Sequence, residues 1–123
     1  MTLYEYIQKH WESVRENPTS DAVQRYIRNY ALALMQKRKY YNPEAADDIA
    51  SGVLTTAAEK LFPEWEKVTA ATYGAFLTKA TQYAVRKFFA KYAIAKRKER
   101  QQAEAWFEEL KRIRKAKEGK EGE

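Results

Sequence analysis

The amino-acid sequence predicts an all-α protein, built as a bundle of three or four helices with an extended, basic and amphipathic C-terminal helix. Two observations predict this fold class. The 123 residues include only 4 glycines and 3 prolines, fewer turn-forming residues than a strand-rich fold needs. Apolar side chains also recur at steps of three and four residues, which is the spacing of amphipathic helices.

Capping residues and prolines set the bounds of the first two predicted helices. Thr2, with Glu5 three residues later, has the spacing of a capping box and opens a helix that ends near Glu16. Ser20, or either of its neighbours, offers the cap of a second helix. The apolar spacing carries this second helix to about Tyr40.

A third and a fourth predicted helix follow. Asn42 is a good N-cap and Pro43 suits the first helical position, so the third helix begins there. Gly52 lies in the middle of this helix and predicts close packing against a neighbour. Thr69 or Thr72 caps the fourth helix, which is the longest because no strong helix breaker interrupts it for many residues.

We interpret the chain as three parts. Residues 1–18 form an N-terminal helix, and residues 19–100 form a helical domain. Residues 101–123 combine an amphipathic helix with a charged tail, whose composition predicts disorder from Lys115 onward.

The positive charge is confined to one segment. The whole chain has a formal net charge of +6. Residues 1–78 contain 9 basic and 10 acidic side chains, whereas residues 79–100 contain 8 basic and 1 acidic. A block of one sign is typical of a surface that binds a polyanion, most simply nucleic acid, and less so an anionic membrane. A lysine-rich solubilising segment is the alternative.

Composition also excludes several kinds of site. Cysteine is absent and His10 is the one histidine, which excludes thiol nucleophiles and argues against histidine metal sites and conventional triads. Glu44 and Asp48 share a helix face without a third ligand, so we predict no metal and no cofactor. No glycine-rich phosphate loop is present, and the chain is not expected to be an enzyme. Without an apolar run of membrane length or a signal peptide, we expect a cytoplasmic protein with no membrane partner.

Aromatic and basic side chains alternate along the fourth helix. One face of such a helix packs inward while the other presents Lys and Arg to phosphates, and exposed rings stack on unpaired bases. We assign Phe76, Leu77 and Ala80 to the core. At least one other ring must lie near the surface, because they cannot all face the same way as Phe76. The interleaved residues are Tyr73, Phe76, Lys79, Tyr83, Arg86, Lys87, Phe88, Phe89, Lys91 and Tyr92.

The third and fourth helices resemble region 2 of bacterial sigma factors of the sigma-70 family, especially the extracytoplasmic-function type. Residues 46–61, with their acidic opening and Glu-Lys-Leu close, run in register with that family's A-E-D-L-V-Q-E-V-F-x-x-A-W-E-K-L helix. Residues 73–89 resemble the family's next helix, and Lys96-Arg97-Lys98 occupy its basic position. The resemblance covers about residues 20–100.

The resemblance implies two binding surfaces. In the family, the acidic helix docks on the clamp helices of the RNA polymerase β′ subunit, which implies polymerase contacts for Asp47, Asp48 and Ser51. The last helix holds melted promoter DNA of the −10 element. One departure weakens the polymerase contact, since Ser51-Gly52 replace the family's Gln-Glu. The implied DNA-binding residues are Phe76, Lys79, Tyr83, Arg86, Lys87, Lys96, Arg97, Lys98 and Arg100.

Two alternatives belong to other functional classes. Trp106 and Phe107 lie on an apolar stripe that either folds back on the domain or binds another chain. In the second case the protein is alternatively a helical adaptor or a polymerase decoy that acts through a second protein. A sequence-nonspecific DNA-binding protein is the third possibility. No helix-turn-helix follows residue 100, so recognition of an upstream promoter element would require a partner.

Overall fold

The computed structural model describes the backbone of residues 1–121 and the side chains of residues 1–116. Within this range the chain is helical and contains no strand, which confirms the all-α prediction and the long C-terminal helix. The elements are α1 (Leu3–Lys9), α2 (Trp11–Glu16), α3 (Asp21–Gln36), α4 (Pro43–Lys60), a 3-10 helix (Phe62–Lys67) and α5 (Ala70–Glu121).

The chain divides into two compact units, Met1–Lys87 and the residues from Phe88 onward. The first unit holds α1 to α4, the 3-10 helix and the beginning of α5. The second unit consists of the remainder of α5. This division places α1 and α2 in the same unit as α3 and α4.

Four side chains cap the helices as the sequence predicts. The side-chain oxygens of Thr2, Ser20, Asn42 and Thr69 each accept a hydrogen bond from the backbone N–H three residues later, at 3.1–3.3 Å. Each bond satisfies an N–H that lacks a partner in its own helix. Local chemistry therefore fixes where α1, α3, α4 and α5 begin.

The structure differs from the prediction inside the first predicted helix and at the end of the second. The first helix is interrupted at His10, whose backbone leaves the helical region with φ −112° and ψ 30°, and so divides into α1 and α2. The second helix ends at Gln36 rather than near Tyr40, because Lys39 adopts a left-handed φ of 56°. The N–H of Tyr40 then donates to the carbonyl of Met35 at 3.2 Å, which closes the helix end.

The core of the first unit forms where α3 packs against α4 and α1 packs against α3. The predicted apolar faces of α3 and α4 supply most of it. The fully enclosed side chains include Ile7, Val14, Ile27, Met35 and Leu77, each no more than 1% exposed. A core of this kind supplies most of the stability of a small helical unit.

α5 enters this core along a face that differs in part from the predicted one. The buried positions in the first unit follow a step of four through Tyr73, Leu77, Thr81 and Val85. The predicted core residue Phe76 is only half-buried. Thr81 is accommodated because its hydroxyl donates to the carbonyl of Leu77 at 2.7 Å, which leaves no unpaired polar atom.

Tyr73 anchors the start of α5 in an aromatic cluster. Its ring makes an edge contact with Trp65 at a centroid distance of 4.9 Å and a tilted contact with Trp11 at 6.1 Å. Its hydroxyl donates to the carbonyl of Pro18 at 2.7 Å. Burial raises the pKa of the Tyr73 phenol far above its ordinary value, because the phenolate would lose its hydration.

This burial predicts a loss of stability at alkaline pH. The unfolded chain releases the Tyr73 proton above about pH 10, whereas the folded protein retains it, so the free energy of unfolding falls as pH rises beyond that value. We expect Tyr73→Phe to be less stable at pH 8, because it lacks the hydrogen bond to Pro18, but to show a shallower decline toward pH 11. Urea unfolding at a series of pH values measures both quantities, and parallel declines would contradict this account.

Close packing occurs at a different glycine from the predicted one. Gly52 is exposed, and a Cβ built there would contact nothing within 4 Å. Gly74 is buried, and its Cβ would lie 2.8 Å from Cδ2 of Tyr4. The absence of a side chain at Gly74 therefore allows the Tyr4 ring to lie against α5.

The second unit is helical from Phe88 as far as Glu121. Residues 115–121, which fall in the segment that the composition predicts to be disordered, continue α5. Residues 122–123 lie outside the described residues. No helix in the described part of the chain has the length and apolar character needed to span a membrane.

Candidate nucleic-acid interface

Four of the predicted DNA-binding residues share one face of α5 in the first unit. Lys79, Tyr83, Arg86 and Lys87 follow steps of four, three and one, which keeps them within about 100° of one another around a helix. All four are exposed. They lie opposite the buried positions of the same helix, so the core holds this face, which we call the basic face, toward solvent.

Tyr83 supplies an exposed ring in the middle of the basic face. The residue is 63% exposed, and the Lys87 ammonium lies 5.5 Å from its ring centroid. Phe76, at the start of the same face, is half-buried and offers less ring surface. An exposed aromatic ring among cations is the combination that binds unpaired nucleotides, because bases stack on the ring while phosphates pair with the cations.

The stretch of α5 that carries the basic face contains no acidic residue. The sequence contains no Asp or Glu between Glu66 and Glu99. The cations of the basic face therefore have no carboxylate on their own part of α5 to pair with. A surface of this sign concentrates a polyanion and raises its rate of association.

The other predicted DNA-binding residues lie in the second unit. Lys96, Arg97, Lys98 and Arg100 are all exposed. Because successive residues of a helix point about 100° apart, they surround the helix rather than share one face. The Lys96 ammonium lies 5.2 Å from the ring centroid of Tyr92.

The predicted polymerase-binding residues are exposed on α4, but two of them contact α3. Oδ1 of Asp47 lies 2.6 Å from Nε of Arg28, and Oγ of Ser51 accepts a hydrogen bond of 3.4 Å from Nε2 of Gln24. These contacts link the two antiparallel helices one turn apart. A surface ion pair of this exposure contributes about 0–1 kcal/mol, so its main effect is to orient Asp47.

Of the two adjacent carboxylates Asp47 and Asp48, Asp48 is the one that takes no part in this contact. It is exposed, and no described residue forms an ion pair with it. It lies about 100° around α4 from Asp47, so Asp47 faces Arg28 of α3 while Asp48 faces a different direction. Asp48 is therefore the member of the predicted set that is best placed to meet another macromolecule.

The predicted partner-binding residues lie on an exposed apolar stripe in the second unit. Trp106 and Phe107 are each 63% exposed. Leu110 and Ile113 continue the stripe at helical spacing and are 42% and 51% exposed. Four large apolar side chains therefore lie in solvent on one helix face, a pattern that is typical of interaction surfaces.

Sequence reasoning missed a cavity in the first unit. It is about 470 Å³ in volume and lies between the beginning of α1, one side of α3 and α5. Tyr26 and Tyr30 of α3 are both half-buried and line this cavity. The sequence signal for this cavity is the spacing of four residues between the two tyrosines with the polar Asn29 between them. This spacing does not reveal a cavity by itself, because the other walls belong to α1 and α5. The side chains that line the cavity and bear on its chemistry are Tyr4, Tyr26, Asn29, Tyr30, Ala33 and Thr78.

Within the described residues, no group of three or more acidic or histidine side chains is arranged to hold a metal ion. Comparisons of the chain with known protein families, with curated proteins and with solved structures found no match.

Proposed function

We propose that this protein is a sigma-like transcription factor that binds unpaired promoter DNA through the basic face and bacterial RNA polymerase core through α4. The basic face is the observation that carries the proposal. It presents Lys79, Arg86 and Lys87 around the exposed ring of Tyr83, on the side of α5 opposite the core.

The mixture of cations and one exposed ring supports single strands over duplex as the ligand. Cations alone bind the phosphates of either form and release counterions on doing so. A ring gains stacking energy only from a base whose face is accessible, at about 1–3 kcal/mol per base. In duplex DNA the base faces are already stacked, so Tyr83 adds affinity for unpaired DNA alone.

The polymerase contact rests on the resemblance of α4 to the sigma-70 family and on the exposure of Asp48. An exposed carboxylate that forms no ion pair with a described residue is available to pair with a cation of another protein. Asp47 remains oriented by Arg28 at the edge of the same surface.

Asp48→Lys is expected to reduce the amount of bacterial RNA polymerase core captured by the tagged protein. The substitution reverses a charge at an exposed position, so it removes an attraction without disturbing the core. Capture at about 0.15 M salt, where loose charge attraction is screened, measures the effect. Glu66→Lys makes the same charge change on the 3-10 helix and serves as the control. Equal capture by wild type and Asp48→Lys would contradict docking through α4.

A helical adaptor or polymerase decoy is the second candidate function, and the exposed stripe of Trp106 and Phe107 favours it. If the proposed function holds, we expect the double variant Trp106→Ala, Phe107→Ala to capture polymerase core and to bind single-stranded DNA as the wild type does. Ile94→Ala, which removes a side chain that is 55% exposed from the opposite side of the helix, is the control. Loss of core capture in the double variant alone would assign the contact to the stripe, as an adaptor or decoy requires.

A further inference from the structure

The exposed apolar stripe from Trp106 to Ile113 lies across a change of charge sign in α5. Residues 101–109 contain three acidic side chains and no basic one, whereas residues 110–116 contain four basic side chains and no acidic one. The sign changes at the middle of the stripe, where the acidic segment ends. The charged side chains, all exposed, are Glu104, Glu108, Glu109, Lys111, Arg112, Arg114 and Lys115.

These charges remain available for contacts outside their own helix. Nζ of Lys111 lies 3.9 Å from Oε1 of Glu108, and both side chains are at least 70% exposed. An exposed ion pair of this length is weak, so it does not commit either side chain to its own helix. The stripe therefore has an acidic half and a basic half, and each half can pair with a surface of opposite sign.

A reversed second copy of this helix matches the stripe in both apolar contact and charge. A two-fold axis between residues 109 and 110 sets the acidic half of one copy opposite the basic half of the other. The same axis places each stripe over its counterpart, because the stripe is centred on that point. Two copies aligned in the same direction would instead set residues 101–109 of each copy side by side, where like charges repel. The order of charge along the stripe therefore favours an antiparallel arrangement.

We propose that the apolar stripe is a self-association surface, on which two copies of this protein pack their stripes against each other in antiparallel orientation. The inference goes beyond the proposed function and does not depend on it. Burial of Trp106 and Phe107 drives the association, and ion pairs between the acidic and basic halves select the orientation. Both copies use the same surface, so the pair closes on itself and does not extend into a filament.

The size of the stripe predicts a weak dimer. A Trp or Phe side chain buries about 150–250 Å², so the four aromatic side chains of two copies contribute about 600–1,000 Å². Leu110 and Ile113 add to this area, and the total lies near the lower limit for a specific interface, about 1,200 Å². We therefore expect dimers at concentrations on the order of 100 µM and single chains well below that concentration. Polymerase capture and DNA binding at low concentration are then properties of a single chain.

Sedimentation of the full chain at concentrations from about 5 to about 500 µM tests self-association. For wild type, we expect the mass to rise with concentration toward twice that of the single chain. The double variant Trp106→Ala, Phe107→Ala is expected to raise the dissociation constant of the dimer at least about 30-fold, because central aromatic side chains carry most of the binding energy of an interface. Ile94→Ala removes a side chain that is 55% exposed on the opposite side of the helix, and it should associate as the wild type does.

Two results of this experiment would overturn the inference. One is a wild-type protein that remains a single chain at about 500 µM, which would leave the stripe to a partner of another sequence. The other is equal association of wild type and the double variant, which would place the contact elsewhere on the chain. Circular dichroism checks that each variant keeps its helices, as expected for substitutions of exposed side chains.

A single spin label tests the orientation of the two copies. The chain contains no cysteine, so Ala95→Cys provides a unique attachment site at an exposed position of α5. At a rise of about 1.5 Å per residue, the two labels of an antiparallel pair lie about 45 Å apart along the helices. In a parallel pair they lie about 10–20 Å apart, across neighbouring helices. Double electron–electron resonance measures this distance in the dimer, and the shorter value would contradict the antiparallel arrangement.

Discussion

Replacing Lys79, Arg86 and Lys87 together by glutamine is expected to lower the affinity for single-stranded DNA roughly 50-fold at about 0.15 M salt. Each phosphate contact with a single strand contributes about 0.7 to the slope of log affinity against log salt concentration. Three lost contacts therefore lower the magnitude of this slope by about 2. Relative to about 1 M salt, a slope change of this size lowers the affinity roughly 50-fold at about 0.15 M salt. The three side chains are exposed, so the fold should be unaffected.

The control for this variant removes the same number of charges elsewhere. Lys9, Lys60 and Lys67 are exposed side chains of the first unit that lie on α1, α4 and the 3-10 helix. Their replacement by glutamine should alter affinity only through the change in net charge. Binding titrations at several salt concentrations, followed by fluorescence anisotropy, give the slope for each protein. The same slope for both triple variants would show that charge, and not the basic face, determines binding.

Leu77→Ala is expected to destabilise the protein by about 2–5 kcal/mol. Leu77 is 0% exposed and lies on the face of α5 that packs into the first unit. Truncation removes apolar contacts and leaves a cavity, since neighbouring helices relax only in part. A loss of this size is a large fraction of the stability of a small domain, so the variant should also bind DNA poorly at elevated temperature.

Leu110→Ala makes the same substitution later in the same helix and isolates the effect of burial. Leu110 is 42% exposed, and Ala and Leu have similar helix propensities, so its stability should change by no more than about 0.5 kcal/mol. Urea unfolding followed by circular dichroism compares the two variants. Should Leu77→Ala prove as stable as Leu110→Ala, the face of α5 that carries Tyr73 and Leu77 would not be the one that packs inward.

The features that sequence predicted best are those determined by local chemistry. Thr2, Ser20, Asn42 and Thr69 cap their helices because each side chain reaches a backbone N–H only three residues away. The all-α class and the length of α5 follow from periodicity and from the scarcity of helix breakers. These inferences require no knowledge of the tertiary packing.

The features that sequence missed depend on contacts between distant segments. Nothing near His10 signals a break, which appears only in the packed arrangement of α1 and α2. Gly74 packs closely because Tyr4 lies against it, whereas Gly52 faces solvent. The periodicity of α5 was ambiguous between two faces, and packing selected the one with Leu77 and Val85 over the one with Phe76.

The candidate site also combines features that the sequence predicted with features that depend on contacts between helices. The basic segment and an exposed ring within it were predictable, since they follow from charge counts and from the limited room on one helix face. The pairing of Asp47 with Arg28 and the cavity lined by Tyr4, Tyr26 and Tyr30 were not, because each joins residues from different helices. The pairing of Asp47 leaves Asp48, of these two adjacent carboxylates, without an ion pair to any described residue.

The most direct test of the proposed function compares the affinity of the wild-type protein for a single strand with its affinity for the duplex of the same sequence. Fluorescence anisotropy at about 0.15 M salt measures both. We expect tighter binding to the single strand, by the stacking energy of at least one base, or about 5-fold or more. Equal or tighter binding to the duplex would contradict the proposal and indicate a sequence-nonspecific DNA-binding protein.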